Sequence, residues 1–154
     1  MLTIHAADEL RYGWDDDTEP VKDGAVAVEG GRAVWSGTLT EVQERFPGAR
    51  VRRWPGVIGP ALLHLGPLPD APTPRERVHE VLKRGATAVL EEYADTPELQ
   101  AAAARNDVIV VPRGTPIRRP AAIIGIGRAD LAVFDDSGTC IATVCAGRLV
   151  HRRH

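Results

Sequence analysis

Apolar and polar positions alternate at both ends of the chain, and the middle switches to helical spacing between short apolar runs. "LTIHAADEL" predicts a first strand, followed by the acidic loop "WDDDTEP". In "GAVAVEGGRAVWSG", Val26 and Val28 alternate, Gly30-Gly31 can take the positive φ angles of a two-residue turn, and Ala33-Val34-Trp35 continues outward. That pattern predicts a β-hairpin. "TLTEVQERFPG" then reads as a short helix with Leu39, Val42 and Phe46 on one face. Thr38 and Glu41 fit a capping box, and Pro47-Gly48 stops the helix. "ARVRRW" is a strand again.

The central region opens with strand-like "VIGPALLHL" and the helix "TPRERVHEVLKRG". Thr73 is a suitable N-cap, Pro74 occupies the first helical position, Gly85 ends the helix, and Val78, Val81 and Leu82 form its apolar stripe. A strand "ATAVLEE", a second Thr-Pro helix beginning at Thr96-Pro97 and a strand "DVIVVP" complete a β-α-β-α-β order. Near-continuous apolar strands in that order imply a parallel sheet with right-handed crossovers. After the Pro-rich bridge "RGTPIRRP", the segment "AAIIGIGRADLAVFDDSGTCIATVCAGRLVHRR" reads as successive strands, with turns at Asp136-Ser137-Gly138 and Ala146-Gly147. The expected fold class is mixed α/β. Residues 1–56 and 121–154 build a composite antiparallel β-sandwich, and residues 57–120 form a truncated parallel βαβαβ insert.

Composition narrows the function classes. The 154 residues suit one domain or two small intimate ones, and 44% hydrophobic with 26% charged residues permits an ordinary core. A net charge of -2 argues against a general nucleic-acid binder. Two short basic clusters, Arg50/Arg52/Arg53 and Arg148/Arg152/Arg153, read as a solvated strand face and a charged tail. "WDDDTEP" lacks the alternating spacing and closing glutamate of a calcium loop. No segment resembles a signal peptide or a run of about 20 apolar residues, so a cytoplasmic protein without a membrane partner is expected. Cys140 and Cys145 fall on one predicted strand about 16 Å apart, with opposite parity, and read as unbridged buried thiols.

Three segments, "DGAVAVEGGRAVWSGTLTEVQERFPGARVRRWPG", "GVIGPALLHLGPL" and "GRADLAVFDDSGTCIATVCAGRLVHRR", together with "KRGATAV", carry a family resemblance. In their order and spacing they resemble the amidohydrolase superfamily, in its imidazolonepropionase and aminodeoxyfutalosine deaminase branch. The resemblance implies a sandwich flanking a (β/α)₈ barrel. It also implies a metal held by a His-x-His pair on the first barrel strand, two later histidines and an aspartate. Such a metal, zinc or iron, lowers the pKa of bound water for attack on an amide or amidine carbon. Placing Pro55-Gly56 and Pro60 on the family pattern puts Gly66 and Leu68 where the two histidines belong. The insert supplies about three strands of the required eight, with no room for the others between Pro112 and Pro120. Both ends of the sandwich are represented, so an internal deletion is the expected cause.

The remaining candidates are few. His64 is the low-ranking catalytic candidate, two and four residues before the expected pair. His79 is expected on an exposed helix face, His5 in the first strand, and His151 and His154 in a surface tail. "GIGRAD" (Gly125 to Asp130) approaches a dinucleotide fingerprint, but a strand follows it, so Asp130 is expected to bond local backbone amides. The favoured expectation is a non-catalytic protein with no metal and no cofactor. It would act structurally, in regulation or through a partner. Three parallel strands leave an open face, so the expected partner is a second copy or an intact barrel enzyme. The alternatives are a residual hydrolase of non-peptide C–N bonds using His64 and a carboxylate, and a small-molecule module. The latter would use the crevice near Gly66–Pro69, Glu91–Tyr93 and Pro112–Gly114.

Overall fold

The N-terminal alternation forms β1 (Leu2–Leu10), whose two faces serve different cores: Ala7 joins one apolar cluster, Ile4 and Ala6 another. The computed structural model describes residues 1–117 and 127–153. A two-residue strand, β2 (Val21–Lys22), lies against the end of β1. β3 (Gly24–Glu29) and β4 (Arg32–Thr38) make the expected hairpin, with Gly30 alone of the two turn glycines at positive φ, 59°. Helix α1 (Leu39–Arg45) follows at once because Thr38 caps it reciprocally. The Glu41 amide donates to Thr38 Oγ1 at 3.2 Å, and the Thr38 amide donates to Glu41 Oε1 at 3.2 Å. Leu39 and Val42 seal Ile4, Ala6, Ala25 and Ala27 from solvent.

β5 (Arg50–Pro60) returns beside β1 and runs parallel to it, from Thr3↔Arg50 to Leu10↔Ile58. Antiparallel pairing was expected throughout, and this pair corrects it. A hydrophobic pattern determines which face of a strand is buried but not which neighbour it meets, and α1 turns the chain so that β5 re-enters in the direction of β1. The Pro55-Gly56 step is a bulge in β5: Gly56 has φ 90°, and its amide donates to Asp8 Oδ2 at 2.9 Å. Beyond it the strand continues to Pro60, so "VIGP" belongs to the large sheet and not to the insert.

The insert comprises β6 (Leu62–His64), α2 (Pro74–Lys83), β7 (Ala86–Leu90), a 3₁₀ turn (Glu91–Tyr93), α3 (Pro97–Arg105) and β8 (Ile109–Val111). Thr73 and Thr96 each accept from a backbone amide three residues on, so both Thr-Pro helix starts occur where expected. The strands form an all-parallel sheet in the order β6-β7-β8. Val89 and Val110 pack under Val78, Val81, Leu82, Leu99 and Ala103. The row Leu63, Ala88 and Ile109 points the other way, and Ile109 is 42% exposed.

The chain then re-enters the large sheet through β9 (Gly127–Arg128), β10 (Leu131–Phe134), β11 (Cys140–Cys145) and β12 (Arg148–Arg152). The order is β12-β11-β10-β5-β1-β3-β4-β9, which joins both terminal regions in one sheet. β9 lies beyond β4 and β10 beside β5, yet Arg128 and Leu131 are three residues apart, a reach of roughly 10 Å. Roughly that distance separates packed sheets, so the large sheet curls over itself. The Ala129 amide reaches Gly31 O at 2.8 Å, closing the curl around Leu10, Val26, Val28, Ile58, Leu131 and Val144. The strand expected over residues 121–126 lies outside the described residues.

The insert docks on the outer face of β11 and β12. Thr143 Oγ1 donates to Leu82 O at 2.6 Å, and Gly85 (φ 87°) passes so close that a Cβ would lie 2.9 Å from Phe134 Cζ. Both cysteines are free and buried, but their opposite parity is corrected. Cys140 lies beside Gly85 and Thr143, and Cys145 joins the insert core. The register shift between Val133↔Ala142 and Phe134↔Cys140 adds a residue at Ile141, which returns Cys140 to the face of Cys145.

Candidate functional site

The candidate site is the carboxyl end of β6, β7 and β8, where an open parallel sheet presents its loops. His64 closes β6, half-buried, and its Nε2 lies 3.0 Å from Pro67 O. A carbonyl only accepts, so the proton is on Nε2 and that nitrogen is occupied by the following loop. Gly66 is half-buried, and a Cβ there would meet nothing within 4 Å. Leu68 turns inward and is 4% exposed, packed with Val78, Val81 and Leu99. Arg77 holds this loop through Pro69 O at 3.2 Å and Leu68 O at 3.0 Å. On the neighbouring strand ends, Glu91 Oε1 accepts from the Arg113 amide at 2.9 Å.

The other histidines are scattered. His79 is exposed on α2. His151 lies with Nε2 3.3 Å from Cys140 O, and partial burial lowers its pKa. His154 is outside the described residues. His5 is 4% exposed; its Nδ1 accepts from Trp54 Nε1 at 3.3 Å, and the rings stack at 13°. Burial first, then the charges of Arg52 and Arg50, lower its pKa to about 4. Asp130 does not bond a local amide, which corrects the expectation: Oδ1 accepts from the Ala146 amide in the turn after β11 at 3.0 Å, because the curled sheet brings that turn beside it, and Arg128 pairs with Oδ2 at 2.9 Å. The first two residues of "GIGRAD" lie outside the described residues.

These positions do not fit a catalytic metal. Gly66 has no donor atom, Leu68 is part of the apolar core, and His64 has one nitrogen engaged. Among the described residues no three His, Cys, Asp or Glu side chains gather in metal-binding range. Cys145 is no substitute, since burial and then Asp130 push its pKa up to about 11 and keep it a thiol. The His5–Trp54 pair is not among the candidates expected from the sequence. Its signal was the shared parity of His5 with the apolar Ala7, which becomes informative only once β1 and β5 are neighbours and Ala7 meets Trp54.

Sequence comparison matches no family model and no curated protein. The structure is similar to that of E. coli guanine deaminase, with TM-score 0.56 and 15% identity, over 73% of this chain and 36% of that one. Guanine deaminase from Bradyrhizobium japonicum gives 0.55 and 14%, over 73% of this chain and 34% of that one. An adenosine deaminase from Xanthomonas campestris with bound zinc gives 0.53 and 17%, over 71% and 33%. These likenesses bear out the fold resemblance expected from the sequence. The chain spans about a third of their length, and at these identities the likeness is one of fold.

Proposed function

We propose that this chain is a non-catalytic amidohydrolase-like module that acts through contact with another protein chain. The observation that carries the reading is the fate of the two expected ligand positions: Gly66 offers no donor, and Leu68 is built into the core beneath α2. Function belongs to the site and not to the fold. The contact surface in this reading is the face of the small sheet opposite α2 and α3, with Leu63, Ala88 and Ile109 in one row. Parallel sheets are ordinarily covered on both faces, and two copies related by a two-fold axis would cover this face reciprocally.

Metal content and oligomer mass measured on one purified sample test the proposal. After incubation with zinc or iron(II) and desalting, elemental analysis should find no stoichiometric ion. Guanine, adenosine and imidazolone substrates should not be hydrolysed. Light scattering at micromolar concentration should give twice the chain mass, reverting to one chain mass for Ile109→Lys. One tightly held ion per chain, or turnover that His64→Ala abolishes, would overturn the non-catalytic reading. A monomer that associates only with an intact barrel enzyme would overturn the second copy as the partner.

A further inference from the structure

The two basic clusters lie about a hundred residues apart in sequence, but the fold brings them to one place. β10 pairs with β5 only over Val57–Pro60, so among the described residues the Arg50–Trp54 part of β5 has no strand partner on that side. The end of β12 reaches this gap: the Arg152 guanidinium carbon lies 5.6 Å over the Trp54 ring. A cleft of about 410 Å³ opens there, lined by Arg53, Arg152 and Arg153, the Trp54 ring, Ile141 and Asp135. The three arginines are exposed, and none forms an ion pair among the described residues. Asp135 also lines the cleft: its Oδ1 accepts from the Ser137 amide and hydroxyl and from the Thr139 amide, and its charge is within electrostatic reach of Arg153.

The frame that carries these charges is rigid. Arg53 pairs with Ala6 in the β1–β5 ladder, Arg152 with Ala142, and the Arg153 amide donates to Ile141 O at 2.8 Å. The buried His5 ring holds Trp54 from behind and stays neutral at ordinary pH. Arg50 and Arg52 extend the positive field. Partial desolvation, then Arg50 and Arg152, lower the Arg52 pKa, so β5 and β12 are in electrostatic reach of each other. Like charges fixed side by side repel, and a multivalent anion between them relieves that repulsion. Planar guanidinium forks suit phosphoryl oxygens, and the volume suits a small ligand.

We propose that the cleft between β5 and β12, built by Arg53, Arg152 and Arg153 over Trp54, binds a small ligand through its phosphoryl groups. Inorganic pyrophosphate, titrated by calorimetry at constant ionic strength, is the probe. Saturable binding of one pyrophosphate per chain is expected, weakened at least tenfold in the Arg152→Gln/Arg153→Gln variant and unchanged in Arg75→Gln on α2. Arg53→Gln, on the other strand, should weaken binding independently. All three arginines are exposed, and a wild-type circular dichroism spectrum checks that each variant is folded. Heat that fails to saturate by about 10 mM, or equal affinity in the parent and the double variant, would overturn the proposal. So would an oligonucleotide whose affinity grows with length and which pyrophosphate does not displace.

Discussion

The large sheet and the insert are built from similar β ladders but close in different ways. In the large sheet the inner face packs against itself through the curl, while α1 and the insert cover parts of the outer face. In the insert, α2 and α3 cover one face only, and Ile109 is left 42% exposed on the other. Hydrogen-bonded strands alone do not make a region self-sufficient; both apolar faces must be removed from water. The same difference separates scaffold from chemistry. A barrel-type metal site needs ligands from strands all around a closed ring, and three strands do not supply one.

The comparison breaks most sharply at Gly56. A Cβ there would lie 2.1 Å from Phe134 O, and φ is 90°. Gly56→Ala should destabilise the large sheet by about 3 kcal/mol or more, read as a lower urea midpoint. The second test is pH. The folded pKa of His5 is about 4 against an ordinary 6.5, so between these values the unfolded chain binds the extra proton. Stability therefore falls as pH drops through that window, by on the order of 3 kcal/mol in total. His5→Gln should remove that share of the slope in urea melts run from pH 7 to pH 4. The smallest effect sharpens the junction. Thr143→Val deletes the bond to the buried Leu82 carbonyl and should cost about 1 kcal/mol. Hydrogen exchange should then quicken in α2 and β7 while the β1–β3 amides stay protected.

Local chemistry was legible because its causes are local. The Thr38–Glu41 box, the two Thr-Pro helix starts, the Val78/Val81/Leu82 stripe and the Gly30 turn each depend on residues within about four positions of one another, and each occurs. At the candidate site, the absence of donors at Gly66 and Leu68 could be read directly from side-chain chemistry. The inward turn of Leu68 could not, because it depends on α2 packing above it.

By itself, then, the sequence determined most of the elements and the joining of the two ends into one sheet flanking a three-stranded insert. Tertiary structure alone decided three things: the parallel β1–β5 pair, the bulge that returns Cys140 to the insert side, and the meeting of Arg53 with Arg152 and Arg153. The physical reason is common to all three. Periodicity encodes whether a side chain points in or out, whereas neighbours, register shifts and convergent charges depend on long-range pairing that no window of the sequence contains.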